Sequence, residues 1–89
     1  MYLHLGQDIS VNIKDIVGIF DLDTSTISKN TGAFLSKAEK DGNVINITDE
    51  LPKSFVVCDM KNGKSGLYVY ISQISTSTLL RRIYRFNKK

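Results

Sequence analysis

The sequence has 89 residues, of which 42% are apolar and 24% are charged, and it contains one cysteine. This composition excludes a fibrous or disordered chain, and one cysteine excludes an internal disulfide and fits a reducing compartment. There is no apolar stretch near the roughly 20 residues of a membrane span and no secretory signal, so we predict a cytoplasmic protein with no membrane partner.

The net charge of +3 conceals an uneven distribution. Residues 1–52 carry four Lys against eight Asp and Glu, a charge of −4, whereas residues 53–89 carry eight Lys and Arg against Asp59, a charge of +7. A basic half of this kind is typical of proteins that bind polyanions, although a solvated basic surface has the same composition.

The first strands are predicted from alternating apolar residues. Residues 1–5 and 9–13 each alternate apolar with polar positions on either side of Gly6-Gln7-Asp8, which predicts an N-terminal hairpin. The nearly continuous apolar run over residues 16–22 predicts a third strand, buried on both faces.

A helix is predicted after this strand, with Asp23-Thr24-Ser25-Thr26 as its capping segment. Its apolar stripe consists of Ile27, Thr31, Phe34, Leu35 and Ala38. Asp41-Gly42 ends the helix, and Gly32 inside it costs about 1 kcal/mol relative to Ala. The short apolar segment over residues 44–47 then predicts an edge strand.

The central feature is a predicted β-hairpin over residues 53–72, with Asn62-Gly63 as its turn. A two-residue turn pairs Cys58 with Leu67 and Val56 with Val69 on one face, and Val57 with Tyr68 and Phe55 with Tyr70 on the other. Both faces are partly apolar, so both need a cover, and in a short chain another subunit can provide the second one. This pattern predicts a homo-oligomer built partly on the hairpin.

A final helix is predicted after Ser75-Thr76-Ser77-Thr78, with Leu79, Leu80 and Ile83 on one face. The predicted fold class is therefore α+β: a small, mostly antiparallel sheet made of the N-terminal and central hairpins, with one long helix and a C-terminal helix. We assign residues 1–86 to a single domain and residues 87–89 to a frayed basic tail.

Catalytic and metal-binding patterns find little support. His4 and Cys58 are the only residues of their types, too few for a zinc site and far apart in sequence, and we expect Cys58 to be a core thiol. Gly63-Lys64-Ser65 resembles the end of a P-loop, but Cys58 stands where the other glycine belongs. Asp15, Asp21 and Asp23 fit no calcium loop. We predict no enzyme, cofactor, metal or small-molecule substrate.

The remaining constellation is basic. Arg81, Arg82 and Arg85 share one face of the final helix, opposite Leu79 and Ile83, although arginines near a helix C-terminus also complement its dipole. Guanidinium, ammonium and hydroxyl groups all bind phosphates. The candidate nucleic-acid-binding residues are Lys53, Ser54, Lys61, Lys64, Arg81, Arg82 and Arg85. No zinc finger, helix-turn-helix or basic zipper is evident.

Four long blocks of the sequence resemble the RemA/RemB family of extracellular matrix and biofilm regulators. They are Met1-Tyr-Leu-His-Leu-Gly-Gln-Asp, Ile16-Val-Gly-Ile-Phe-Asp-Leu-Asp, Leu51-Pro-Lys-Ser-Phe-Val-Val-Cys and Tyr70-Ile-Ser-Gln-Ile-Ser-Thr-Ser-Thr-Leu. The resemblance extends over about 80 residues. It implies a bacterial cytoplasmic regulator with a fold similar to LytTR-type DNA-binding domains, which binds DNA and assembles into rings. Where RemA has an arginine pair before the hairpin strand, only Lys53 keeps a positive charge here.

Two functions are consistent with these observations. The first is an oligomeric DNA-binding transcriptional regulator that contacts the phosphate backbone through its basic half. The second is an oligomeric interaction or scaffold protein without DNA affinity, whose basic half binds an acidic protein or RNA. Binding of duplex DNA at two salt concentrations distinguishes them.

Overall fold

The computed structural model describes residues 1–22, 29–59 and 66–87. Its strands are β1 (Tyr2–Gly6), β2 (Ile9–Asn12), β3 (Ile16–Asp21), β4 (Val44–Asn46), β5 (Ser54–Asp59) and β6 (Leu67–Ser72). Its helices are α1 (Lys29–Lys40) and α2 (Thr76–Asn87), and a 3-10 turn over Ile13–Asp15 precedes β3. The predicted α+β class is confirmed. Neither helix in the described ranges is long and apolar enough to cross a bilayer.

The strands form two sheets. Strands β1 and β2 pair antiparallel as the predicted N-terminal hairpin. The larger sheet has the order β3-β5-β6-β4, in which β5 pairs antiparallel with both β3 and β6. The predicted edge strand β4 lies parallel to β6 and supplies the one parallel pairing among the described strands. The sheets are therefore mostly antiparallel, as predicted.

Both faces of the larger sheet are covered from within the chain. On one face, Val56 and Cys58 pack with Leu3 and Leu5 of the N-terminal hairpin and with Leu79 of α2. On the other face, the α1 residues Phe34, Leu35 and Ala38 pack in a second cluster, whose sheet members include Phe55, Val57, Val69 and Ile71. The prediction that both hairpin faces are buried is confirmed, and α1 rather than another subunit provides the second cover.

The predicted register of the central hairpin is wrong by one residue. Cys58 pairs with Tyr68 rather than Leu67, and Val56 pairs with Tyr70 rather than Val69. The predicted turn at Asn62-Gly63 lies outside the described residues. A one-residue slip moves every side chain of a strand to the other face of its sheet. Because β6 is apolar on both faces, its hydrophobic pattern favours neither register.

Strand β3 is not buried on both faces, contrary to the expectation from its apolar sequence. It lies at the edge of the sheet, where only β5 pairs with it. Val17, at the β-bulge between Ile16 and Gly18, is 58% exposed, and the half-exposed ring of Phe20 stacks on Phe55 with centroids 4.9 Å apart. An edge position leaves one side of a strand without a neighbour, which its composition does not reveal.

The end of α1 and the start of α2 follow their sequence signals. Gly42 follows α1 with a φ of +74°, the left-handed conformation that glycine adopts at low cost. Ser75 caps α2, since its Oγ accepts the backbone N–H of Thr78 at 3.3 Å. The predicted cap and first stripe residue of α1, residues 23–27, lie outside the described ranges. Leu80 departs from its predicted face: Leu79 is fully buried, but Leu80 is 51% exposed.

Candidate nucleic-acid interface

Lys53 is held at the end of the larger sheet by its backbone. Its N–H donates to the carbonyl of Ser72 at 2.9 Å, and its own carbonyl accepts the N–H of Leu22 at 3.0 Å. The Lys53 side chain is exposed. The ammonium group is therefore attached to a backbone fixed on two sides, so that a phosphate contact there orders little more than the side chain.

Ser54 has a different environment from the basic residues of the candidate set. It is fully buried, and its Oγ donates to the carbonyl of Ile74 at 2.7 Å. The neighbouring Ser72 is also fully buried; its Oγ donates to the Leu5 carbonyl at 2.5 Å and accepts the Ile74 N–H at 3.0 Å. These two hydroxyls fix the segment that leads into α2. Ser54 thus lies inside the fold, next to the exposed Lys53.

The three arginines of α2 differ in exposure. Arg81 and Arg85 are exposed, whereas Arg82 is half-buried and donates from Nη1 to the His4 carbonyl at 3.1 Å. This bond attaches α2 to β1 at the border of the core. Arg81 and Arg85 are four residues apart on one side of the helix, so their guanidinium groups can contact successive phosphates of one strand.

A second exposed surface on α2 is apolar, and sequence reasoning missed it. Leu80 is 51% exposed and Tyr84 is 63% exposed, and the two lie one turn apart. Leu79 and Ile83 show the same spacing, so the pattern contained two parallel stripes, of which the core takes one. We call Leu80 and Tyr84 the apolar stripe of α2.

The loop between β4 and β5 presents an acidic and apolar tip. The Thr48 Oγ1 donates to Gln73 Oε1 at 2.5 Å and accepts the Glu50 N–H at 2.9 Å, and Asn46 Oδ1 accepts the Thr48 N–H at 3.2 Å. Beyond this anchor, Asp49 and Glu50 are exposed, and Leu51 is 84% exposed. We call residues 49–51 the acidic tip. It lies two residues from Lys53.

The candidate basic residues within the described ranges therefore lie on two connected elements. Lys53 precedes β5, the arginines project from α2, and the Ser54–Ile74 hydrogen bond ties the two segments together. Lys61 and Lys64 lie outside the described residues. The predicted core thiol is confirmed, since Cys58 is 3% exposed. Across the described part of the chain, no group of three or more His, Cys, Asp or Glu side chains could hold a metal ion.

Fold and site together define a small α+β domain with exposed basic side chains on its C-terminal helix. The family model RemA-like, described as extracellular matrix regulatory protein A-like, matches residues 2–83. Extracellular matrix regulatory protein B of Bacillus subtilis (strain 168) is 39% identical over 82 residues, covering 92% of this chain and 89% of that protein. The chain belongs to the RemA-like family. The matched segment includes Lys53, Arg81 and Arg82, and Arg85 lies beyond it.

Proposed function

We propose that the protein is a homo-oligomeric, DNA-binding transcriptional regulator of extracellular matrix and biofilm genes. Membership of the RemA-like family supports a regulatory role in matrix production. The observation that carries the DNA-binding part is the pair of exposed guanidinium groups of Arg81 and Arg85 on α2, in a segment whose residues 53–89 carry a charge of +7. Such a regulator acts in the cytoplasm.

The mode of binding follows from the chemistry of these side chains. Lys and Arg neutralise phosphates and release condensed counterions, which supplies a large, sequence-independent part of the affinity for DNA. The described residues offer ammonium and guanidinium groups rather than a helix with a base-reading pattern. We therefore expect the protein to position itself on the phosphate backbone and to lose affinity steeply as salt is raised.

The homo-oligomer is supported by the family resemblance and not by the hairpin faces, which the N-terminal hairpin, α2 and α1 cover. Oligomerisation makes a small basic surface effective. One copy offers a few phosphate contacts, and linked copies offer the same contacts repeatedly at a high effective concentration. Duplex DNA presents phosphates at a regular spacing, so a repeated basic surface matches it. A substitution that removes a phosphate-binding side chain then removes it from every copy in the assembly.

A second candidate function is an oligomeric scaffold that binds an acidic protein or RNA and has no DNA affinity. It is favoured by the small positive charge before β5, where Lys53 is the one basic residue among residues 51–54. A single ammonium group in this stretch makes few phosphate contacts, which lowers the affinity expected for duplex DNA. The two candidates differ in whether duplex DNA itself is bound.

The test is titration of fluorescent duplex DNA into the protein at two salt concentrations, with molar mass measured in parallel. We expect binding at low salt that weakens strongly at high salt, and competition by unlabelled duplex. Saturable binding of an acidic polypeptide or of RNA, without duplex binding at low salt, would replace the proposal with the scaffold. Lys14→Ala is the control for substitutions in the basic half and should bind duplex DNA like the wild type, because Lys14 is exposed but lies in the acidic half of the chain.

A further inference from the structure

The apolar stripe of α2 and the arginines point in different directions from the helix axis. Successive residues of an α-helix are separated by about 100°. Leu79 and Ile83 face the core, Leu80 and Tyr84 lie to one side of them, and Arg81 and Arg85 follow next around the axis. Arg81 therefore borders the stripe. The helix thus has a core side, an exposed apolar side and an exposed basic side.

The charge beside the stripe decides what can cover it. Pairing of α2 with α2 of a second copy would bring Arg81 and Arg85 of both helices together, and like charges in an interface are costly. A suitable cover has an apolar centre with negative charge at its border. The acidic tip has this composition, with Leu51 84% exposed between Glu50 and Pro52.

Hydrogen bonds at both ends of the loop hold the acidic tip in an exposed position. The side chain and backbone bonds of Thr48 hold the start of the loop, and the backbone bonds of Lys53 hold its end. The tip therefore projects from a fixed base, which lowers the entropy lost when it docks. An exposed leucine on a well-anchored loop can bury its apolar area in a small protein contact. Tyr84 in the stripe is of a residue type that often dominates the binding energy of an interface.

We propose that the acidic tip of one copy docks on the apolar stripe of α2 of the next copy, with Leu51 against Leu80 and Tyr84 and the carboxylates beside Arg81 at the border of the stripe. In the assembly, Arg85 and Lys53 then remain exposed for phosphate. This assignment rests on the proposed homo-oligomer and specifies its contact. The two surfaces differ, so the contact is heterologous, and repetition of it generates a ring when the rotation between copies closes. Lys53 of one copy then lies near the basic side of α2 of its neighbour, which continues the basic surface from copy to copy.

The first test uses exposed apolar residues, whose replacement leaves the core intact. Leu51→Ser and Leu80→Ser should each weaken self-association on the order of tenfold, as expected for an apolar contact at the centre of an interface. The matched control is Val17→Ser, which removes another exposed apolar side chain on β3 and should leave the association unchanged. Sedimentation velocity without DNA, over a range of protein concentrations, measures the effect.

The second test exchanges charges. Arg81→Glu, and separately the double change Asp49→Lys with Glu50→Lys, should each reduce the molar mass of the assembly. Mixing the two variants should restore the molar mass, because each contact between one variant and the other joins an acidic surface to a basic one. All three changes in one chain should restore it as well. Two variants that stay dissociated when mixed, together with a triple variant that stays dissociated, would overturn the proposal.

The outcomes separate this contact from the proposed function. A wild-type protein that is monomeric at tens of micromolar overturns the homo-oligomer and the contact together. A wild-type assembly that persists in Leu51→Ser and Leu80→Ser overturns the contact alone. An assembly that is weakened by Val17→Ser and not by Leu51→Ser places the interface on β3 and also overturns the proposed contact. Duplex DNA binding is measured independently on each variant.

Discussion

Single buried hydroxyls join the parts of this small domain. Ser72 Oγ donates to the Leu5 carbonyl of the N-terminal hairpin and accepts the N–H of Ile74, which leads into α2. The side chain thus connects the two sheets and the start of a helix. The residue type gives no sign of this role, because serine is mostly found at protein surfaces.

Ser72→Ala should lower the free energy of unfolding by about 1–3 kcal/mol, because the change takes the hydroxyl from a buried carbonyl and a part-buried N–H. Urea unfolding followed by circular dichroism measures the decrease. Ser10→Ala, at an exposed position of β2, is the control and should stay within about 0.5 kcal/mol of the wild type. Equal stability of both variants would mean that the hydroxyl bonds contribute nothing.

Cys58 should resist alkylation in the folded protein and react freely when the protein is unfolded. Its thiol lies in the core cluster with Leu3, Val56 and Leu79, where a reagent cannot reach it. Thiol labelling followed by mass spectrometry, with and without urea, measures both rates. Rapid labelling under native conditions would show that this core opens readily.

At the scale of elements, the glycines within and after α1 have opposite requirements. A Cβ added at Gly32 has no atom within 4 Å, and the residue lies inside the helix, so the conformational freedom of glycine is of no use there. Gly42 has the left-handed φ of +74° that ends the helix, where an added Cβ meets backbone strain. Among the described residues, no close neighbour explains Gly32.

Gly32→Ala should therefore raise the free energy of unfolding by about 0.5–1 kcal/mol, partly by restricting the unfolded chain. Gly42→Ala should lower it by about 1 kcal/mol. Thermal and urea unfolding of the two variants measure changes of opposite sign. A destabilising Gly32→Ala would mean that another group approaches this turn of α1 in solution.

Most of the elements could be predicted from the sequence, and their neighbours could not. Alternation predicted the N-terminal hairpin, and terminal signals predicted the end of α1 and the start of α2. The predicted register of β5 against β6 was wrong because β6 is apolar on both faces and its pattern favours neither register. The prediction that β3 is buried on both faces was wrong, because the position of a strand at the edge of a sheet depends on pairing partners distant in sequence. The likeness to LytTR-type domains stays a prediction.

For the candidate site, the sequence predicted which side chains are charged but not which of them are buried. Arg81 and Arg85 are exposed as their helical spacing predicts, whereas Ser54 is buried by contacts made twenty residues later in the chain. Leu80 and Leu79 are adjacent and apolar, and only the packing of α2 against the sheet decides between them. A sequence pattern identifies the stripes of a helix but not which stripe the core uses.

At the scale of the whole molecule, the two halves of the chain carry net charges of opposite sign. The acidic half contributes the N-terminal hairpin and α1, and the basic half contributes β5, β6 and α2. We expect this asymmetry to orient the protein on a polyanion through long-range attraction, which salt screens over about 10 Å at 0.1 M. We therefore expect this orienting effect to weaken as ionic strength rises.

The slope of log affinity for duplex DNA against log salt concentration tests DNA binding through the basic half most directly. For wild type we expect a steep negative slope of about −0.9 for each phosphate neutralised. Lys53→Ala, and Arg81→Ala combined with Arg82→Ala, should each make the slope less negative, by roughly one unit for each phosphate that is no longer neutralised, and by more in an assembly. Arg82→Ala also removes the bond to His4, and Arg81 borders the proposed contact between copies. Circular dichroism therefore verifies the fold of that variant, and sedimentation velocity verifies its molar mass. Unchanged DNA binding at low salt in both variants would contradict DNA binding through the basic half of the chain.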